Sequence, residues 1–210
     1  GLDIGCGLGG TSRYLVVNHG CSMVGLDLNN DYIQAAQLLN SHLPGLSDCH
    51  FVAGNSLALP FAEHSFDFVV SQHASMNIAQ KAVLLAAVHK VLQVEGCLLL
   101  HEVMLAQDCT ETTVDYPTPW ADQHDHSHLS HWPDFMQLAH AIGFKLIKFE
   151  DNTMDALEWL HKARKQPPSP PFTPNIALGP TAGRMSANML RNLQQGRLQI
   201  VSALLVKASS

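Results

Sequence analysis

The sequence predicts an α/β fold with a mostly parallel sheet and helices on both of its faces. Short apolar stretches alternate with helix-like segments through the first 150 residues, and Gly20, the Pro44-Gly45 pair and Gly96 punctuate the connections. The composition allows a matching core. Of the 210 residues, 46% are apolar and 14% charged, which suits one globular domain and argues against global disorder.

The elements follow from local patterns. Residues 2–4 read as the end of a strand, 11–19 as a helix and 23–27 as a second strand. In 31–42 the apolar Ile33, Ala36 and Leu39 recur at helical spacing. Strands are expected at 50–53 and 66–71, a helix at 80–92 and a strand at 97–103. Residues 106–131, rich in Thr, Asp, Pro and His, break the rhythm and read as a lid-like insertion. The pattern then resumes with a helix at 133–142 closed by Gly143, a strand at 144–149 and a helix at 153–165. Five prolines in 166–174 dictate an irregular connection. A helix at 185–193 and an alternating Val/Ile/Leu strand at 197–207 complete the chain. One domain over 1–210 is expected, with halves at 1–105 and 132–210 on either side of the insertion.

The net charge of −6 disfavours sequence-independent nucleic-acid binding. Its distribution is uneven. Residues 1–158 hold all 18 acidic and five basic groups, whereas 159–210 hold seven basic groups and no carboxylate. Either the basic segment packs against the acidic body, or Arg184, Arg191 or Arg197 meets an anionic substrate group. The five cysteines are odd in number, widely spaced and without a Cys-x-x-Cys pair, which fits a reducing cytoplasm. No apolar run approaches the roughly 18 residues of a membrane span, and no signal peptide opens the chain. Gly1 stands inside a strand, so the sequence reads as lacking an N-terminal part. The oligomeric state is left open.

Chemistry concentrates at the first strand-to-helix turn. Gly5, Gly7, Gly9 and Gly10 allow a sharp turn and close approach of a ligand, and Asp3 precedes them in the strand. Asp27, at the tip of the second strand, is placed to accept two ribose hydroxyls. Asn55, in Ala53-Gly54-Asn55-Ser56 after the third strand, is placed to bond an adenine edge. All three sites fall at carboxyl ends of parallel strands, where open α/β sheets bind ligands.

These residues resemble the class I S-adenosylmethionine-dependent methyltransferases. Asp3-Ile4-Gly5-Cys6-Gly7-Leu8-Gly9 looks like the first motif of that family, and Asp27 matches its ribose-binding acid. Asn55 stands where the family usually has Asp. Leu59-Pro60-Phe61 with Ser65-Phe66-Asp67 resembles the stretch before strand four. The turn at Glu95-Gly96 resembles the one before strand five, with Val94 and Glu95 in place of Pro and Gly. Ser71 to Ile78 with Lys81 looks like a small-molecule subgroup that includes sarcosine/dimethylglycine N-methyltransferase-like bacterial enzymes.

The resemblance implies a Rossmann-like, doubly wound, seven-stranded sheet that ends in an antiparallel strand. It implies S-adenosylmethionine as cofactor, held by Asp3, Gly5, Cys6, Gly7, Gly9, Asp27, Leu28, Asn55 and Ser56, with Ser71 and Gln72 near the methyl group. The expected partner is a small-molecule methyl acceptor, an amine in preference, with neither nucleic acid nor membrane. A sulfonium methyl is already electrophilic, so proximity, alignment and water exclusion are the main requirements. His73 is the candidate catalytic group, with His101 a second imidazole that Glu102 can orient. The alternative for both is a packing or lid role.

The tract from Asp122 to His131 holds four histidines and reads either as a divalent-metal ligand set or as a solvated lid; no metal is expected. Trp120 and Trp132 flank it and can wall a substrate cation or anchor the lid, while Trp159 reads as helix packing. Two other functions stay open. Gly5, Gly7 and Gly10 also satisfy the Gly-x-Gly-x-x-Gly of a nicotinamide-dependent oxidoreductase, and a truncated cofactor-binding remnant without activity is the other.

Overall fold

The structure is a computed structural model that describes residues 1–165 and 178–208. The expected proline-rich connection at 166–174 lies outside the described residues. Seven strands form one sheet: β1 (Leu2–Ile4), β2 (Met23–Asp27), β3 (Cys49–Ala53), β4 (Phe66–Gln72), β5 (Leu92–Leu105), β6 (Phe144–Asp151) and β7 (Leu198–Lys207). Their spatial order is β3-β2-β1-β4-β5-β7-β6. The first five are parallel, and β7 runs antiparallel to both β5 and β6. The helices are α1 (Gly10–His19), α2 (Asn30–Ser41), α3 (Lys81–Val91), α4 (Trp132–Ile142), α5 (Thr153–Lys165) and α6 (Ala182–Gln194).

Strand parity splits the core. Met23 of β2 packs with Val16 of α1 and Ile33 and Ala36 of α2. Leu26, three residues on and therefore on the other face, joins Leu84 and Val88 of α3 and Phe135 and Ala139 of α4. A third cluster sets Val103, Leu105, Leu198 and Ile200 against Met76, Val114 and Leu193. The 106–131 insertion forms two 3-10 turns, Glu111–Thr113 and His124–His126.

Some boundaries differ from the sequence expectation. The helical pattern was expected to reach residue 92, but Leu92 already pairs with Phe66 and begins β5. The register then shifts, and residues 93–96 form a tight excursion before Cys97 pairs with Phe68. At Gly96 a Cβ would stand 2.9 Å from the Gln93 carbonyl oxygen, so only glycine fits there. Helix α6 starts at Ala182, three residues ahead of the expected start. The charge split has an internal outlet, since Asp115 of the insertion pairs with Arg191 of α6 at 3.1 Å and with Arg197 at 2.9 Å. Lys207 of β7 donates to the carbonyls of His89 and Leu92 at 2.7 and 2.8 Å.

Candidate active site

The turn after β1 is held by its own backbone. Gly5 and Cys6 N–H groups both donate to the Leu26 carbonyl, at 2.8 and 3.1 Å, and Gly9 N–H donates to Cys6 at 2.8 Å. Gly5, Gly7 and Gly9 have φ of 68°, 52° and 78°, in the left-handed region. At Gly9 a Cβ would meet the Phe51 ring at 2.2 Å, so this glycine serves the packing of α1 on the sheet. At Gly7 nothing lies within 4 Å of the Cβ position; the open space is the cavity that Gly7 lines.

Asp27 closes the turn from the side. Its Oδ2 accepts the Gly7 N–H at 2.8 Å and its Oδ1 accepts the Asn29 N–H at 2.9 Å. Asn29 in turn caps α2 by accepting from the Asp31 N–H at 2.9 Å. Each carboxylate oxygen keeps a further lone pair for a ligand hydroxyl. Asn55 Oδ1 accepts from the Leu57 N–H at 2.9 Å, which leaves its amide donors available.

These groups share one cavity of about 1400 Å³ at the carboxyl ends of the parallel strands. Of the residues singled out in the sequence, Gly5, Gly7, Asp27, Leu28, Asn55, Ser56, Gln72 and His73 line it. Asp3, Cys6, Gly9 and Ser71 do not; they stand behind the wall. Asp3 is buried and accepts the Ser12 hydroxyl at 2.7 Å, which pins the first turn of α1 to β1. Burial raises the Asp3 pKa above its ordinary value, against the lowering by Ser12. Cys6 is half-buried, with its thiol pushed up by burial, so it is not a poised nucleophile. Gln72 accepts the Thr11 hydroxyl at 2.7 Å, joining the tip of β4 to α1.

His73 follows β4 with φ of 53°, a left-handed conformation uncommon for a side chain of this size. Its N–H donates to the His101 carbonyl at 2.9 Å, and the two rings meet edge to face at 4.9 Å. The ring is exposed to the cavity that it lines. Desolvation by the surrounding walls, with a smaller effect of His101, lowers its pKa to about 4. At neutral pH the ring is therefore neutral and has low affinity for a proton.

Glu102 explains how the turn is held. It is fully buried, and its carboxylate accepts the Ser71 hydroxyl at 2.6 Å and the Ser75 N–H at 3.2 Å. Burial raises its pKa to about 7, against these hydrogen bonds. The expected pairing of Glu102 with His101 does not form. Adjacent strand residues point to opposite faces, and His101 Nδ1 lies 2.8 Å from the Ser202 hydroxyl instead. Below the turn, buried Lys81 donates to the carbonyls of Ser75, Ile78 and His128, so one ammonium ties the turn to the insertion. Burial lowers its pKa to about 8.

The insertion and the last elements complete the cavity. Pro119, Trp120 and His128 line it from the insertion, Trp159 and Leu160 from α5, Met189 and Leu193 from α6, and Ile200 and Ser202 from β7. Trp120 donates its indole N–H to Ser127 at 3.0 Å. Trp132 turns instead to the core, stacked on Phe135 and close to Phe149. Trp159 is 67% exposed and lines the cavity, contrary to the packing role expected from sequence. His124 pairs with Asp125 at 2.9 Å, and among the described residues no group of three or more His, Cys, Asp or Glu is set to hold a metal ion. No described helix is long and apolar enough to cross a membrane.

Sheet order separates this fold from the dinucleotide-binding alternative. A dinucleotide-binding sheet of order 3-2-1-4-5-6 is parallel throughout, whereas here antiparallel β7 is inserted between β5 and β6. Residues 2–100, which carry the glycine turn and Asp27, match the Methyltransf_11 family, described as a methyltransferase domain. In these residues the chain is similar to the class I S-adenosylmethionine-dependent methyltransferases. Within this methyltransferase group, it is 38% identical over 107 residues to a sterol 24-C-methyltransferase of Pneumocystis carinii, covering 50% of this chain and 28% of that protein. It is 29% identical over 158 residues to a sarcosine/dimethylglycine N-methyltransferase of Halorhodospira halochloris, covering 72% and 53%. The chain thus spans between about a quarter and half the length of these two relatives. In fold it resembles phosphoethanolamine N-methyltransferase 2 of Haemonchus contortus, solved with phosphomonomethylethanolamine and S-adenosylhomocysteine. The TM-score is 0.81 at 19% identity, covering 99% of this chain and 49% of that one.

Proposed function

We propose that this methyltransferase chain moves a methyl group from S-adenosylmethionine to a small-molecule acceptor. The observation that carries the reading is the juxtaposition of the glycine turn with the Asp27 carboxylate at the mouth of a cavity large enough for two ligands. The residues fit the cofactor. Open space over Gly7 admits a ligand against the backbone, Asp27 offers acceptors to two ribose hydroxyls, and Asn55 and Ser56 offer polar groups to an adenine edge. Asp3 acts through Ser12 and α1, and Ser71 acts through Glu102, as positioning groups.

When bound, S-adenosylmethionine supplies an electrophilic methyl on sulfur. The chain then has to align the acceptor and exclude water. His73, neutral at physiological pH, offers a ring nitrogen as hydrogen-bond acceptor to the attacking group and orients it. The 106–131 insertion serves as the lid, tied down by Lys81 and Asp115. An amine acceptor suits the Trp120 and Trp159 walls, whose faces attract cations. Such a pocket suits a small molecule. The five free thiols suit a reducing cytoplasm.

Calorimetry with S-adenosylhomocysteine and with NADH tests the cofactor, and labelled methyl transfer to a metabolite panel tests the reaction. Binding of S-adenosylhomocysteine alone is expected. Binding of NADH in its place would return the reading to an oxidoreductase.

A further inference from the structure

The half of the cavity away from the glycine turn has a composition of its own. At about 1400 Å³ the cavity exceeds the roughly 300–1,000 Å³ that one drug-sized ligand occupies. The surplus is walled by Met76, Val103, Trp120, Leu160, Met189 and Leu193, from five different segments of the chain. The Trp120 N–H is already committed to Ser127, so this indole presents an apolar body to the space.

Formal charge is equally distinctive. The carboxylates that line the cavity are those of Asp27 and Asp155, and among the described residues no Lys or Arg lines it. Three cations near this part of the fold are engaged elsewhere. Arg191 and Arg197 are held by Asp115, and the Lys81 ammonium is surrounded by three carbonyls. An anionic group taken into such a space trades its water for neutral donors alone and meets two carboxylates with no formal counter-charge, which is unfavourable. His73 does not supply the missing charge, because it is neutral at physiological pH.

We infer that the acceptor is a largely apolar molecule with no carboxylate or phosphate, whose nucleophilic atom, with a free lone pair when it attacks, meets the polar floor of His73, His101 and Ser202. This rests on the methyl-transfer reading above and narrows it. Amino acids such as sarcosine, each with a carboxylate, fall outside the class.

The test uses matched pairs that differ in one anionic group. The chain is first saturated with S-adenosylhomocysteine in a calorimeter, then titrated with tryptamine against tryptophan and with 4-phenylbutanol against 4-phenylbutyrate. Tryptamine and 4-phenylbutanol are expected to bind at least about ten-fold more tightly than their carboxylate counterparts. Trp159→Arg, at a position exposed enough to keep the fold, is expected to narrow both ratios by giving the carboxylates a partner. Equal or tighter binding of the carboxylate members overturns the inference, and so does binding of no member of either pair. Failure to bind S-adenosylhomocysteine, seen before any acceptor is added, refutes the cofactor reading instead.

Discussion

The Glu102 carboxylate, fully buried, accepts the Ser71 hydroxyl at 2.6 Å and thereby joins β5 to the tip of β4 beneath the His73 turn. Its pKa is raised from 4.5 to about 7, chiefly by burial. Between those values the folded chain binds this proton more tightly than the unfolded chain. Its contribution to stability is therefore greatest below pH 4.5 and declines as the pH rises to 7. Glu102→Gln is expected to lack that decline. The stability of the natural chain relative to the variant, from urea unfolding across this window, should fall by at most about 1.4 kcal/mol per pH unit. Parallel pH dependences would contradict the burial of an ionisable group here.

Two glycines separate backbone strain from ligand contact. Gly7 and Gly20 have φ of 52° and 64°, and neither has an atom within 4 Å of its Cβ position. Alanine at either site should cost about 1–2 kcal/mol of stability, from the left-handed conformation alone. Only Gly7 lines the cavity. Gly7→Ala is thus expected to weaken S-adenosylhomocysteine binding ten-fold or more, while Gly20→Ala leaves it unchanged. Equal affinities would show that ligand does not pass over the turn.

His73 bears on the chemical step. With its pKa lowered to about 4, it stays neutral from pH 5.5 upward and should add no inflection near 6.5 to the rate profile. His73→Ala is expected to lower the single-turnover methyl-transfer rate by about ten-fold or more with little change in cofactor affinity. A profile with a histidine-like inflection that His73→Ala abolishes would make the ring a base. Unchanged turnover in the variant would remove it from the mechanism.

The sequence was most informative where the pattern is local. The glycine turn, Asp27 and the Ala53–Ser56 stretch each stand within a few residues of a strand end, and the parallel order brings those ends together. The acceptor half was not legible, because Trp159, Met189 and Ser202 come from α5, α6 and β7 and meet only through the tertiary fold. Helical spacing around Trp159 looks the same whether the ring enters a core or a cavity. Glu102 is hidden for a similar reason: adjacency to His101 in sequence suggests a pair, whereas strand alternation sends the two side chains apart. The start of β5 is hidden by the helical spacing of Leu84, Leu85, Val88, Val91 and Leu92, which suits a helix until Leu92 pairs with Phe66.

The central claim is that the Asp27 carboxylate, with the Gly7 N–H bonded to it at 2.8 Å, receives the ribose of S-adenosylmethionine. The most direct measurement is calorimetric titration of S-adenosylhomocysteine into the natural chain and into Asp27→Ala, with circular dichroism to confirm that both are folded. Loss of charge-assisted hydrogen bonds worth about 1.5–3 kcal/mol predicts a dissociation constant raised roughly ten- to a hundred-fold. An unchanged dissociation constant in the folded variant would contradict the assignment.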